Sequence, residues 1–413
     1  MSGLLNRLNS SVWPLYASAG WLATVSSLAM ASHLMEDREL LAKLVGLETT
    51  SALSNRGVVD VICDYLDRPG VRIHRLTAAG DKENLVVEVG PECQDGSGLT
   101  LSGHLDCVPA GEGWSHGPFD LLERDGRLFG RGACDMKGFD ALAINAMARV
   151  ADGTLEAPLA LVLTCDEEIG GVGAAQLVEA WPRDRQLPRS TIIGEPTMMN
   201  VVRMHKGHLK FFVRIRGASG HSGNPTVGQN ALVAGGAAVE VLARIGDDFK
   251  EIRTATSGCF EDVAHPVLAV VGMTSGQAWN ITPDECEIRC GLRVLPDQDV
   301  STVLDQIRSA LSMSLDGLEW SLDVYNNNPP LCTSEETLVN QMVCEAVGQE
   351  HSLGVSYCSD GGHLAKLGLE CVLWGPGSIE QAHQPDEYLS LEQFTLGRDA
   401  LRDVINRHCL GNG

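Results

Sequence analysis

Gly98-Leu99-Thr100-Leu101-Ser102-Gly103 runs straight into His104, and three other stretches of the chain repeat that form. Leu159-Ala160-Leu161-Val162-Leu163-Thr164 leads to Asp166-Glu167-Glu168, and Thr191-Ile192-Ile193-Gly194 leads to Glu195. Cys371-Val372-Leu373-Trp374-Gly375-Pro376-Gly377 leads to His383. Short continuous apolar runs read as strands buried on both faces, the habit of a parallel sheet covered by helices. In open α/β sheets ligands bind beyond the carboxyl ends of the strands. Side chains far apart in sequence can therefore converge on one pocket, and each is of a type that binds a divalent cation.

The 413 residues suffice for two domains, because single cores stop growing near ~250–300 residues. A hydrophobic share of 44% with 21% charged residues is ordinary for a globular protein. The net charge of −23 argues against nucleic acid or an anionic membrane as partner, since both demand clustered Lys and Arg. The 13 cysteines are scattered with no CxxC pair, which suits reduced thiols in a cytoplasmic protein better than a disulfide framework. Cys107 and Cys134 lie beside the candidate ligands, but buried packing residues are the simpler reading of both. Residues 1–34 stand apart as an extension. Val12 to Leu34 is broken by Pro14, Ser18, Ser26 and Ser27, and only Arg7 precedes it. An appended helix, or a natural start at Met35, fits this stretch better than a secretion signal or a membrane span.

From Met35 to about Leu66 the apolar spacing is helical, and Asn84 to Val89 and Leu99 to Gly103 read as strands. Met136 to Val150 reads as a helix, and Gly170 to Val178 as a loop running into another. The texture changes near His208. Lys210 to Arg216 alternates like a strand with one wet face. A helix from Asn230 to Ile245 follows, then strands at Val267–Met273 and Glu285–Leu292, a helix from Val300 to Leu315, and a possible closing strand at Trp320–Tyr325. Asn326-Asn327-Asn328-Pro329-Pro330 marks the return, because consecutive prolines cannot continue a central strand. The division expected is 35–207 and 326–413 as two parts of one α/β domain, with 208–325 inserted between them.

His104 and Asp106 form an H-x-D unit whose side chains point the same way in extended chain. One can bind metal while the carboxylate takes the other imidazole N–H and fixes the tautomer. Asp135, in Arg131-Gly132-Ala133-Cys134-Asp135-Met136-Lys137-Gly138, can bridge two cations through its two oxygens, or can simply cap a helix. Glu167 and Glu168 diverge from adjacent positions, so one can ligate while the other acts as general base toward water. Each of these residues alone is more often structural than functional, as are a lone Glu195 or His383. Their combination at four strand ends is what points to a catalytic site for two metal ions. Mixed nitrogen and oxygen donors suit zinc, with cobalt or manganese as substitutes.

Gly103-His104-Leu105-Asp106, Asp135-Met136-Lys137-Gly138, Asp166-Glu167-Glu168 and Gly194-Glu195-Pro196-Thr197 resemble the di-zinc acetylornithine deacetylase / succinyl-diaminopimelate desuccinylase / glutamate carboxypeptidase family. Arg203-Met204-His205-Lys206-Gly207-His208 and the stretch Gly375 to Leu389 sharpen the likeness toward the first branch. It covers the chain from about Leu40 onward. The resemblance implies an α/β fold: a zinc-peptidase-like catalytic domain with a mostly parallel central sheet flanked by helices, plus a smaller inserted α+β dimerisation and lid domain. It implies that His104 and Glu195 serve one zinc, Glu168 and His383 the other, and that Asp135 bridges both. Asp106 would orient His104, and Glu167 would be the base that later protonates the leaving amine. His221, in Gly220-His221-Ser222-Gly223, would reach a partner's site and hold the oxyanion. Asn280 would lie near the same oxygen, and Arg293 would meet the substrate carboxylate.

The activity so implied is hydrolysis of the amide bond of an N-acyl amino acid, first of all N2-acetyl-L-ornithine, by a cytoplasmic homodimer. Acetyl-citrulline, acetyl-methionine, N-succinyl-diaminopimelate and dipeptides are rival substrates, and a non-catalytic binding homologue is the distant alternative. One segment departs from the deacetylase pattern. Cys358-Ser359-Asp360-Gly361-Gly362 stands where Cys-Thr-Glu-Ala-Pro is usual, and its Ser-Asp-Gly is similar to the desuccinylase branch. That departure bears on the acyl group and the amino acid, not on the metals. His363 beside it reads as an ordinary loop histidine.

Overall fold

A computed structural model describes residues 34–410 apart from 152, 154 and 225. The expectations for the N-terminal extension therefore lie outside the described residues, save for Leu34. A nine-stranded sheet forms the centre of the larger part of the chain. Four strands in its middle are all parallel: Leu159–Thr164, Leu99–His104, Ser190–Ile193 and Glu370–Leu373, side by side in that order. The first three are buried at every residue, as continuous apolar runs require when helices cover both faces. Beyond these four the sheet is mixed. Lys82–Val89 pairs antiparallel with Leu159–Thr164 on one side, and Val202–His205 antiparallel with Glu370–Leu373 on the other.

The first helical stretch is two helices, Asp37–Val45 and Arg56–Leu66, separated by the turn and bridge residues around Thr50. Helices Gly138–Val150 and Leu391–Cys409 pack with them against one face of the sheet, around Leu101, Leu161, Ile192 and Val372. On the other face Val162, Leu177, Ile193 and Leu364 share a second cluster.

A four-stranded antiparallel sheet is built from Gly207–Arg216, Val267–Ser275, Glu285–Val294 and Glu319–Asn328. Here burial alternates. Leu209, Phe211, Val213 and Ile215 face helices Ala231–Phe249 and Val300–Ser314, while Arg214 and Arg216 face water. Asn230 caps the first of these helices by accepting the Leu232 and Val233 N–H groups, and Asp299 caps the second through the Thr302 N–H. Val202–His205 leads into this sheet through Lys206, and Pro329-Pro330 leads back to the strand Leu331–Cys332 of the large sheet. Lys206 is wholly buried, its ammonium donating to the carbonyls of Val263 (2.6 Å) and His265 (2.9 Å).

Candidate metal centre

His104 is the last residue of its strand; Glu168, Glu195 and His383 follow the carboxyl ends of the three strands parallel to it, and Asp135 lies in the turn that opens the helix Gly138–Val150. The helix Gly138–Val150 runs tight beneath. A Cβ on Gly194, just before Glu195, would lie 1.9 Å from the Phe139 ring, so only glycine admits that approach. Asp135 sits in a wide turn, Ala133–Lys137, that opens this helix, and its peptide bond to Met136 is cis. The helix begins only at Gly138, and the Asp135 side chain faces two imidazoles instead of capping it.

Donor atoms of His104, Asp135 and Glu195 all lie within 4.8 Å of one another, as do those of Asp135, Glu168 and His383. Among the described residues these are the two groups able to hold a metal ion, and Asp135 belongs to both. Its Oδ1 is 3.1 Å from His104 Nε2 and its Oδ2 is 3.4 Å from His383 Nε2. Glu168 approaches the same His383 nitrogen at 2.9 Å. Neither Cys107 nor Cys134 joins them. Both thiols are raised by burial, and Cys134 Sγ donates to the Ser378 carbonyl instead.

Charge crowding is what this donor set has most of. Burial pushes the Glu167 and Glu195 carboxyls well above the ordinary range, and neighbouring carboxylates push the same way. Burial would push His104 down, but Asp135, Asp106 and Glu195 hold it well above its usual value. Hydrogen bonds to Asp135 and Glu168 hold His383 up at about 10. Burial would raise Asp135, yet the two imidazoles hold it well below the carboxylate range. Acids crowded around two imidazoles, with one carboxylate between the groups, fit a pair of divalent cations.

Asp106 does not orient His104 through its side chain. His104 Nδ1 donates to the Asp106 backbone carbonyl at 3.0 Å, while the nearest carboxylate oxygen is 3.8 Å away. The chain leaves the strand after His104, so the i and i+2 side chains no longer run parallel. The Asp106 carboxylate instead accepts the backbone N–H groups of Glu167 (3.0 Å) and Glu168 (3.2 Å), with the Ser51 hydroxyl at 2.7 Å. It positions the two glutamates.

Several residues escape a reading of the chain. Glu387 is buried with Arg131 in an ion pair at 2.6 Å, both 1% exposed, and its other oxygen accepts the Cys134 and Asp135 N–H groups at 2.9 and 3.1 Å. Lys137 is buried and donates to the carbonyls of Leu44 and Leu47. Asp360 is buried below the site and accepts the Thr164 hydroxyl at 2.5 Å; burial raises its carboxyl to about 6. The altered loop thus turns its acid into the protein, and His363 is buried with it, both ring nitrogens unpartnered. Only the Asp of Ser-Asp-Gly is a local signal for this arrangement.

The small sheet carries the remaining candidates. His221 and Asn280 are exposed and adjacent: His221 bridges Ile281, and the Ser222 N–H donates to the Asn280 carbonyl at 3.1 Å. No hydrogen bond or ion pair among the described residues joins either to the metal groups. Arg293, half-buried on Glu285–Val294, has a buried Nη1 without a partner; burial lowers its pKa, while Cys358 and Glu167 act on it as nearby acids.

The sequence profile of Peptidase family M20/M25/M40 matches residues 100–407. An acetylornithine deacetylase of Pasteurella multocida (strain Pm70) is 32% identical over 386 residues, covering 90% of this chain and 98% of that protein. Among solved structures, an M20 family metallo-carboxypeptidase, Sso-CP2 of Sulfolobus solfataricus, superposes with a TM-score of 0.71 at 18% identity, covering 91% of this chain and 99% of that one. The YXEP protein of Bacillus subtilis, a dinuclear metal-binding peptidase of the M20 family, gives 0.64 at 16% identity over 89% of this chain and 96% of its own. Both structural likenesses speak for the fold.

Proposed function

The chain belongs to peptidase family M20/M25/M40 and is a metal-dependent hydrolase, and we propose that it cleaves N2-acetyl-L-ornithine to L-ornithine and acetate, a step of arginine biosynthesis. The observation that carries the reaction is the pair of three-residue groups sharing Asp135, with Glu167 beside them and in neither. The 32% likeness over nearly the whole chain supports the substrate. In this reading His104, Asp135 and Glu195 hold one ion, and Asp135, Glu168 and His383 the other. Zinc suits these donors, with cobalt or manganese able to replace it.

When bound, the metal ions acidify water and polarise the amide carbonyl. The protein's own groups do the rest. Glu167 accepts a proton from the attacking water and returns it to the departing amine nitrogen, a role suited to a carboxyl whose proton affinity burial has raised. His221 and Asn280 supply donors to the developing oxyanion, and the unpartnered Arg293 Nη1 meets the substrate carboxylate. Residues 208–325 form a lid and dimerisation unit in this reading. The outer strand Val267–Ser275 and the helix beside it support a homodimer, for they expose Val271, Met273, Leu232 and Val233. A cytoplasmic setting is supported by 13 cysteines without a bonded pair. Among the described residues no helix is long and apolar enough to cross a membrane.

The test is kcat/KM of the zinc-loaded protein for acetylornithine beside acetyl-citrulline, acetyl-methionine, N-succinyl-diaminopimelate and a dipeptide. Acetylornithine is expected to lead. Glu167→Ala is expected to lower kcat by about 10²–10⁴-fold without loss of metal. Preference for another substrate would keep the chemistry and reassign the pocket. No turnover on any, with two metals bound, would sink the acetylornithine reading and leave another amide as the substrate, or a binding role.

A further inference from the structure

Glu167 sits at the head of a turn to which Asn326 of the small sheet hydrogen-bonds and against which Asn328 packs. The N–H groups of Gly170 and Gly171 both donate to the Glu167 carbonyl, at 2.8 and 2.9 Å. Gly170 has φ +120° and Gly171 φ +66°, conformations for which glycine is the natural choice. The carbonyl of Gly170 in turn accepts the side-chain N–H of Asn326 at 2.8 Å. The packing there leaves no room for a side chain. A Cβ on Gly170 would lie 2.7 Å from the Asn326 amide, and one on Gly171 would lie 2.4 Å from Asn328 Oδ1.

Asn326 and Asn328 stand two apart at the end of the strand Glu319–Asn328, so both face the same way. An irregularity between Val324 and Asn326 re-aims the strand just before them. This is an outer strand of the small sheet, paired only with Gly207–Arg216, and Asn328 is its last residue before Pro329-Pro330. The turn is therefore held from two directions. Asp106 of the large unit takes the N–H groups of Glu167 and Glu168, and the small sheet takes the carbonyl three residues further on. Only two crossings, 205–207 and 328–331, join the sheets, and Asn328 begins the second.

We propose that Asn326 and Asn328 are positioning residues that hold the Glu167–Gly171 turn, so that the place of the small sheet sets the place of the base. The proposal rests on Glu167 acting as that base. Substrate engaged by Arg293 on the small sheet then bears on Glu167 through a direct mechanical path. Neither asparagine touches a reacting atom.

Asn326→Asp keeps the shape and removes the N–H donor; Asn327→Ala, on the exposed opposite side of the strand, is the control. Both are compared with the parent in the metal-loaded full chain, by amide exchange of Gly170 and Gly171 and by steady-state kinetics. Asn326→Asp is expected to speed exchange at those two amides and to lower kcat by about 5–10-fold with KM within about twofold. Asn327→Ala is expected to match the parent throughout. Unchanged exchange in Asn326→Asp would overturn the clamp. Faster exchange with parental kcat would overturn its role in positioning the base. A parent without turnover on any N-acyl amino acid would instead count against the proposed reaction, and exchange alone would then decide whether the asparagines hold the turn.

Discussion

The two sheets of this molecule differ in how far each completes the site it serves. In the large unit three of the five candidate ligands are held by partners from that same unit: Asp135 through Glu387, His104 through the Asp106 carbonyl, Glu168 through the Asp106 carboxylate. On the small sheet His221 and Asn280 stand exposed, and the buried Arg293 Nη1 has no partner. The large unit has most of its candidate ligands already aimed and buried, with His383 alone half exposed. The small one presents donors that are exposed or unpartnered, and the proposed function assigns them to substrate.

The sharpest way to break that contrast is to loosen the large unit. Glu387→Ala would strand the buried Arg131 guanidinium and free the Asp135 backbone, and removing one partner of a buried pair typically costs about 3–5 kcal/mol. A large drop in melting temperature, with weaker metal retention on dialysis against a mild chelator, is expected. A variant that melts and holds metal like the parent would show that preorganisation lies elsewhere. On the small sheet the expected loss is in rate, not stability. His221→Ala should lower kcat by about 10²–10³-fold, the effect of losing one oxyanion donor, while melting temperature and metal content stay parental. Loss of metal in this variant would erase the distinction between the sheets.

The smallest effect concerns the junction, where His205 and His208 flank the first crossing. Burial pushes His205 down to about 4 and His208 down to about 3, from an ordinary 6.5, and charge repulsion from Arg293 adds to each. Rings kept neutral in the fold take up protons more readily once unfolded. Their stabilising effect is therefore whole above pH ~6.5 and is lost as pH falls toward 4. Melting temperature should drop between pH 7 and 5, by an amount on the order of 1–3 kcal/mol of stability. His205→Gln should flatten that slope; an unaltered slope would take the junction out of the account.

Much of the site could be read from residue order alone. Leu99–His104 and Leu159–Thr164 are apolar without alternation, which marks them as central strands, whereas Leu209 to Arg216 alternates and marks a half-wet sheet. The ligand types at the strand ends then name the chemistry. The first helical stretch divides in two, and local signals for the break are present: Gly46 just past the first helix, Thr49-Thr50-Ser51 between, and Asn55 just before the second. The bridge from Thr50 to Cys107 fixes the turn they make. The role of Asp106 was hidden. An H-x-D spacing suggests a carboxylate on an imidazole, but the chain bends after His104 and delivers that carboxylate to the amides of Glu167 and Glu168.

Local pattern thus declared the metal-binding character, the parallel core and the inserted sheet, because burial on one face or two leaves its period in the chain. Which groups share Asp135, what holds Asp135 in turn, and where Asn326 and Asp360 point were decided by packing. Arg131 meets Glu387 across 256 positions and Asn326 meets Gly170 across 156, and nothing in the neighbourhood of either residue encodes a partner so distant. Contacts of that range follow from the spatial order of strands, which is a property of the whole sheet and of no single segment.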